Sequence, residues 1–110
     1  MVYDTDLADR IRACLEPEDR LTEKAMFGGL AFLIGGNMAI AASGQGGVLV
    51  RVDPNESDEL MQTTSATVAV MRGRPMAGWL RVASEDVQTK HQLQKWVRLA
   101  AGYARSLPAK

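Results

Sequence analysis

Residue types that commonly carry catalysis are scarce in this 110-residue sequence, which has one histidine and one cysteine. His91 lies between Lys90 and Gln92 in a predicted helix, and no G-x-S-x-G nucleophile motif occurs. Nucleophilic catalysis would need an activated serine or cysteine beside the histidine and a carboxylate that orients it. We therefore interpret His91 as a solvated helix residue and Cys14, on an apolar helical stripe, as a small core residue.

Acidic residues that stand close together fall at two predicted helix starts. They are Asp4, Asp6 and Asp9 in the first group and Glu56, Asp58 and Glu59 in the second. Carboxylates in a first helical turn accept hydrogen bonds from free amides and interact favourably with the positive end of the helix dipole. One histidine and one cysteine, without a CxxC pair, also supply too few ligands for zinc. The sequence predicts no catalytic residue, no metal site and no cofactor.

Two glycine-rich segments have the composition of a phosphate-binding loop, namely Gly35-Gly36-Asn37 and Gly44-Gln45-Gly46-Gly47. A phosphate loop leads from a strand into a helix, whose N-terminal amides face the anion. Here each segment joins two short apolar runs that have the length of strands. Both segments are therefore predicted to be hairpin turns.

The clearest candidate for binding is a basic pair, Arg72 and Arg74, on either side of Gly73. Guanidinium groups bind phosphate or carboxylate, and aromatic residues with arginine often anchor protein interfaces. An exposed turn beside a core tryptophan would produce the same pattern without a function. The candidate partner-contact residues are Arg72, Arg74, Met76 and Trp79.

Length and composition predict one domain over residues 1–110. The 13 acidic and 13 basic residues give a formal net charge of zero, which argues against direct nucleic-acid binding and removes one barrier to self-association. The acidic N-terminus is unlike a signal peptide, and no apolar run approaches the ~20 residues of a membrane span. We expect a cytoplasmic protein with no membrane contact.

Caps and periodicity predict an α+β fold. The first helix is expected at 4–15, with Pro17 as its stop, and the second from Pro54 to about Thr63. The third is expected to begin behind a cap at Ser84 and to stop at Pro108. Strands are expected at 22–27, 30–34, 38–42, 48–52, 67–71 and 76–82. Short connections favour an antiparallel sheet with the helices mainly on one side. The prediction is a two-layer sandwich with about five strands in the order α-β-β-β-α-β-β-α.

Both faces of this predicted sheet carry apolar residues. In the third run Met38, Ile40 and Ala42 are predicted to share a face, and in the fourth Val48, Val50 and Val52 do so. One face is expected to lie under the helices. The other is a candidate surface for a second subunit.

Three groups of segments carry a resemblance to a known family. They are Met26-Phe27-Gly28-Gly29 with Phe32, Gly35, Met38 and Val50-Arg51-Val52; Gly73-Arg74-Pro75-Met76 with Gly78-Trp79; and Trp96 with Ser106-Leu107-Pro108. In this order and spacing, over nearly the whole chain, the sequence resembles the N-terminal domain family of the TfoX/Sxy competence regulators. The resemblance implies structural roles for Met26, Phe27, Gly28, Gly29, Gly73, Pro75 and Gly78.

The resemblance implies a two-layer fold that is similar to that of type III secretion chaperones, in a domain that is often dimeric. Its name-giving members promote competence genes together with the cyclic-AMP receptor protein, and they carry a further C-terminal domain that resembles a helix-hairpin-helix module. This sequence ends at Lys110 without that module, so we expect a single TfoX N-terminal-like domain. The resemblance transfers no catalytic residues.

Two functions from different classes fit the sequence. The first is a non-enzymatic, homodimeric domain that docks a protein partner in transcription or competence regulation. The alternative is a small-molecule or nucleotide sensor with an apolar pocket between sheet and helices, because methionine side chains suit an adaptable site. The methionines that would line this pocket are Met26, Met38, Met61, Met71 and Met76.

Overall fold

A six-stranded antiparallel sheet carries the helices on one face. The computed structural model describes residues 3–16, 18–26 and 28–108, with only the backbone of Met71. In chain order the elements are α1 (Thr5–Cys14), β1 (Leu21–Met26), β2 (Gly29–Ile34), β3 (Asn37–Ala42), β4 (Val48–Arg51), α2 (Pro54–Thr63), β5 (Thr67–Met71), β6 (Arg74–Val82), a 3-10 turn (Ser84–Val87) and α3 (Lys90–Ser106). The α+β class and the order of elements are confirmed, and the described sheet has six strands rather than about five.

The strands lie in the order β1-β2-β3-β4-β6-β5, and every neighbouring pair is antiparallel. The first four strands follow one another through short turns. The chain then crosses through α2 to the far edge, and β6 returns between β4 and β5. This order makes β1 and β5 the two edges of the sheet.

The first two helices begin where their caps predict. The Asp4 carboxylate accepts a hydrogen bond from the amide of Leu7 at 3.1 Å. The Asp53 carboxylate accepts from the amide of Asn55 at 2.9 Å, and Pro54 takes the first helical position, where a missing N–H costs nothing. α1 ends at Cys14, while Pro17, the predicted stop, lies outside the described residues.

The prediction that Ser84 caps the last helix is wrong. Ser84 opens the 3-10 turn, and α3 begins at Lys90 behind a cap at Thr89. Thr89 and Gln92 form a capping box, because each side chain bonds the other residue's amide at 3.1 Å. The Arg10 guanidinium donates to the backbone oxygens of Val87 and Gln88, at 2.7 and 2.9 Å, and so holds the break between turn and helix.

The main core fills the space between the helices and the sheet. Every residue of β3 is buried, and α3 packs across β3 and β4. Small residues on both elements allow this close approach. The predicted stripe of α3 is buried at Leu93, Trp96, Val97, Ala100 and Ala104, whereas Leu107 is the half-buried C-cap residue.

A bulge in β3 overturns the prediction that Met38 shares a face with Ile40 and Ala42. The β2–β3 register pairs Phe32 with Ile40 but Leu33 with Met38, so Ala39 is an extra residue. The extra residue turns Met38 away from the helices, while Ile40 and Ala42 stay in the main core. The faces of β4 are as predicted, since Val48, Val50 and Val52, the residue just after the strand, all lie in the main core.

The second face of the sheet holds a smaller apolar cluster. Its buried members are Ala31, Met38, Ala41, Leu49 and Ala69, and the half-buried Met26, Leu33 and Trp79 pack around them. Ala31 and Ala69 have no exposed surface, and Leu49 is 2% exposed. The chain shields this cluster itself, so its burial gives no reason to place a second subunit on this face.

An ion pair ties the edge strand β1 to α1. The Arg12 guanidinium donates through Nε and Nη2 to the two carboxylate oxygens of Glu23, at 2.6 and 2.8 Å. The same guanidinium lies 5.8 Å from the ring centre of Phe32 in β2. Hydrogen bonding from Arg12 stabilises the ionised carboxylate and lowers the pKa of Glu23 below its ordinary value of 4.5.

The lowered pKa of Glu23 makes the stability of the fold depend on pH in acid. A carboxyl group with a lowered folded-state pKa stabilises the protein fully above pH 4.5 and loses this effect as pH falls through the folded-state pKa. We expect Glu23→Gln to lower the thermal unfolding midpoint at neutral pH, and we expect its difference from the wild type to vanish in acid. Glu59→Gln, at an exposed carboxylate of α2, is the control. A midpoint difference that stays constant with pH would contradict this role of the ion pair.

Gly29 is required by a close approach between β2 and β3. A Cβ atom at this position would overlap the carbonyl oxygen of Ala42, whereas a Cβ at Gly102 in α3 would meet open space. We expect Gly29→Ala to lower the free energy of unfolding by about 3 kcal/mol. Gly102→Ala should raise the free energy of unfolding by about 1 kcal/mol, because alanine has a higher helix propensity than glycine at an exposed helix position. Equal effects in chemical denaturation would contradict the steric argument.

Candidate functional site

The hairpin of β5 and β6 extends past its neighbour strand as an arm, defined here as Val70–Ala77. β4 pairs with residues 79–82 of β6, whereas residues 74–76 pair with β5 alone. The arm closes through a two-residue turn, Arg72-Gly73, with φ of 54° and 77°. Two positive φ angles are typical of a type I′ turn, whose twist matches that of the flanking strands. The arm is therefore a regular hairpin.

The bend that separates the arm from the sheet lies at Gly78. The β5–β6 ladder passes from Val68–Leu80 to Ala69–Met76 and leaves residues 77–79 without partners in β5. Gly78 has a φ of 84°, and its carbonyl accepts the amide of Val52 at 2.7 Å. A Cβ at Gly78 would lie 2.9 Å from the carbonyl oxygen of Val52, so both the space and the φ angle require glycine.

The tip of the arm exposes two of the predicted contact residues. Arg72 and Arg74 are exposed, and neither side chain has a hydrogen bond or ion pair with any residue that the structure describes. Val70, with 56% of its surface exposed, and Pro75 add apolar area beside them. Met76 is half-buried on the same arm. Arginine beside apolar surface is a common composition for the centre of a protein interface.

Trp79, the fourth predicted contact residue, belongs to the body of the sheet. It pairs with Arg51 of β4 beyond the Gly78 bend and packs against the second-face cluster. The Arg51 guanidinium lies 5.2 Å from the Trp79 ring and 5.6 Å from the ring of Tyr103 in α3. A cation between two aromatic rings joins β4, β6 and α3 at the base of the arm. The structure thus brings Arg72, Arg74 and Met76 together and leaves Trp79 apart.

Sequence reasoning missed three residues of this region. Arg51 and Tyr103 have no local signal, because the rings that Arg51 contacts stand far from it in the sequence. Val70 could have been found from the sequence, because the run Thr67–Met71 contains no charged residue. An inner strand needs no charge, but an edge strand without charge can pair with a strand of another chain.

A groove between α1 and α3 is one concave alternative to the arm. It has a volume of about 410 Å³ and is lined by Arg10, Ala13, Cys14, Lys90, Leu93 and Gln94. Cys14 is a half-buried wall residue of this groove that also packs against the main core. His91 is exposed, as predicted, and lines a different groove between α2 and α3.

The methionines proposed to line one pocket are separated by the sheet. Met26 and Met38 lie in the second-face cluster, whereas Met61 packs against the main core on the helix side. Met76 is on the arm, and the side chain of Met71 lies outside the described part of the structure. The cavity beside Met26 has a volume of about 10 Å³, which is room for one water molecule at most. These positions favour gap-filling over a shared ligand site.

Residues 3–16, 18–26 and 28–108 contain neither a metal-binding cluster nor a membrane-spanning helix. No group of three or more histidine, cysteine or acidic side chains there is placed to hold a metal ion. No helix in this part of the chain has the length and apolar character to cross a membrane. The arm is therefore the best candidate functional site in the described structure.

The family resemblance is confirmed by comparison with family models. The model of the TfoX N-terminal domain matches residues 13–104. The chain belongs to the TfoX N-terminal domain family. A search of curated proteins finds no match to the sequence.

Several residues of the TfoX N-terminal domain motif have visible backbone roles in this chain. Gly28, with a φ of 73°, lies in the β1–β2 turn that follows Met26, and Gly29 makes the close approach to β3. Gly73 completes the turn of the arm, and Gly78 forms the bend at its base. Pro75 pairs with Val70 inside the arm. Phe27 lies outside the described residues.

The contact of Arg51 with two rings should contribute to stability at the base of the arm. We expect Arg51→Met, which keeps much of the side-chain volume, to lower the free energy of unfolding by about 1 kcal/mol. A double-mutant cycle with Tyr103→Leu should show positive coupling, because the two residues are in direct contact. Arg98→Met, at an exposed position of α3, is the control, and an equal loss there would contradict the contribution of the rings.

Proposed function

We propose that this TfoX N-terminal domain is a non-enzymatic protein-interaction module, which docks a protein partner through the tip of the arm in transcription or competence regulation in the bacterial cytoplasm. The observation that carries the proposal is the exposure of Arg72 and Arg74 at a regular turn, without partners among the described side chains. Family membership supports the regulatory part of the proposal.

The geometry of the tip suits recognition of an acidic or polar protein surface. A guanidinium presents a planar set of donors that matches a carboxylate, and Arg72 and Arg74 present two of them one residue apart. The closed turn holds both arginines on a regular hairpin, so less conformational entropy is lost on binding than for a loose loop. Val70 and Pro75 supply apolar area beside the charges.

A binding role is favoured over catalysis because the reactive residues are dispersed. Cys14 and His91 line two different grooves beside α3. The small-molecule alternative is less well supported, since the sheet divides the methionines that would line its pocket. The neutral charge of the whole chain also means that any electrostatic attraction must come from a local patch such as the tip.

The proposal is tested by quantitative capture of partners from a lysate of the native cell, with the purified domain as bait. Arg72→Ala combined with Arg74→Ala should reduce recovery of the specific partner about tenfold or more, because arginine is among the residues that most often dominate interface energy. The matched control is Lys95→Ala combined with Arg98→Ala, which removes two exposed cations from α3 and should leave recovery unchanged.

The identity of the captured proteins and the folding of the variants complete this test. Circular dichroism should show that both double variants keep the wild-type fold. Loss of a transcription factor or polymerase subunit from the arm variant alone would support the proposal. Undiminished recovery by the arm variant, or equal losses from both variants, would contradict it.

A further inference from the structure

The two edge strands of the sheet differ in their protection against pairing with a further strand. β1 exposes Glu23 and Lys24, and Arg12 of α1 bonds Glu23. Charged side chains on an edge strand oppose the approach of another strand. β5, Thr67–Met71, has neither a charged residue nor a proline. Val70, with 56% of its surface exposed, is the large apolar side chain with the greatest exposure that the structure describes.

The backbone groups of Val70 lie on the free edge of β5. A two-residue hairpin turn closes on a hydrogen-bonded pair, here Met71 and Arg74, and the next pair along the ladder, Val70 and Pro75, is not bonded. Proline suits this position because it has no N–H to donate. The N–H and C=O of Val70 therefore point away from β6.

The backbone groups of Val68 lie on the same edge. The carbonyl of Gly78 faces β4, where it accepts the amide of Val52, and by alternation the polar groups of Leu80 also face β4. Val68 is the β5 partner of Leu80, so its own N–H and C=O face outward. The edge thus offers two donors and two acceptors, from Val68 and Val70.

This uncharged edge has charged groups of opposite sign at its two ends. At the tip, Arg72 and Arg74 are exposed cations. At the other end Ser65, two residues before β5, donates its hydroxyl to the carboxylate of Asp86 at 2.6 Å. An extended segment along this edge therefore meets cations at the tip, apolar surface beside Val70 and a carboxylate at the far end.

We propose that the protein partner docks by adding an extended segment to β5 as a further, antiparallel strand. The segment carries an acidic residue opposite Arg72 and a basic residue opposite Ala66. Between them, apolar residues lie opposite Val70 and Val68. The inference rests on the proposed function, because this strand belongs to the partner that the tip arginines capture.

The antiparallel register satisfies every outward group of the edge. The residues opposite Val68 and Val70 each exchange two N–H···O bonds with them, and their apolar side chains cover Val70. The antiparallel direction agrees with every neighbouring pair of strands in the sheet. Strand addition to a free edge is a recurrent mode of peptide recognition, in which main-chain bonds give affinity and alternate side chains give specificity.

A designed peptide tests the register and the direction of this strand. The end-capped probe Asp-Thr-Val-Thr-Val-Thr-Lys places its residues, in order, opposite residues 72 to 66. In a titration of the isotope-labelled full chain by NMR, it should shift the amides of Val68 and Val70 with a dissociation constant below about 1 mM. The matched control has Asp and Lys exchanged. It should bind about fivefold more weakly or worse, because each end then meets a charge of its own sign.

N-methylated peptides test the backbone bonds and leave the protein unchanged. A methyl group on the nitrogen of the first valine removes the N–H that bonds the carbonyl of Val70, so the dissociation constant should rise roughly tenfold or more. A methyl group on the nitrogen of the central threonine, opposite Ala69, lies on the side away from β5 and should leave affinity unchanged.

Proline variants test the same bonds from the side of the protein. Val70→Pro removes an outward N–H without breaking the bonds between β5 and β6, and it should weaken peptide binding roughly tenfold or more. The matched control is Ala25→Pro, one residue before the closing pair of β1 with Gly29, and it should bind the peptide as the wild type does.

Four results would overturn the proposal. They are the absence of a saturable shift up to about 1 mM peptide, equal or tighter binding of the charge-exchanged peptide, undiminished binding of the peptide methylated at the first valine, and a dimer that already occupies the edge. Such a dimer would show twice the chain mass in light scattering and slow exchange of the Val68 and Val70 amides without peptide. It would assign the edge to a second copy.

Failure of this inference can be distinguished from failure of the proposed function. If the double arginine variant loses the native partner while Val70→Pro retains it and the peptide does not bind, the strand proposal alone is overturned. If the peptide binds in the expected register while the double arginine variant keeps the native partner, the role of the tip alone is overturned.

Discussion

The backbone bend at Gly78 determines which part of β6 belongs to the sheet and which part leaves it. Its φ of 84° and the 2.7 Å hydrogen bond from the amide of Val52 fix the direction of the strand at this point. On one side of the bend, residues 79–82 pair with β4, residues 80 and 81 pair with β5 as well, and the segment completes the core. On the other side, residues 74–76 pair with β5 and form the arm. The exposed tip and the packing of Trp79 against the second-face cluster depend on this division.

The base of the arm is held more firmly than its tip. Arg51 lies between the rings of Trp79 and Tyr103, and α2 packs against β6 from the helix side. Arg72 and Arg74 have no such contacts with the described residues and are exposed. A fixed base with an exposed, closed turn orients the two guanidinium groups without burying them, which is the condition for low ordering cost on binding.

Local signals in the sequence were sufficient for much of the fold but not for features set by distant residues. The cap at Asp53 and a hairpin turn between β5 and β6 could be predicted because neighbouring residues satisfy them. The predicted connection spanned residues 72–75, whereas the turn takes only Arg72-Gly73 and β6 begins at Arg74. The start of α3 was wrongly predicted at Ser84 because serine is as good a cap residue as threonine. The break between the 3-10 turn and α3 depends on Arg10, which is far away in the sequence. The orientation of Met38 depends on a bulge in the pairing of β3 with β2. No residue within β3 predicts this bulge.

The same limit applies to the candidate site. Composition identified Arg72, Arg74 and Met76, but it grouped Trp79 with them because sequence distance does not show the bend between them. The exposure of Val70 is a property of strand order rather than of local sequence. If β5 lay between β4 and β6, its uncharged run would be an ordinary inner strand; because β6 takes that place, the same residues become an edge whose backbone can still bind another strand.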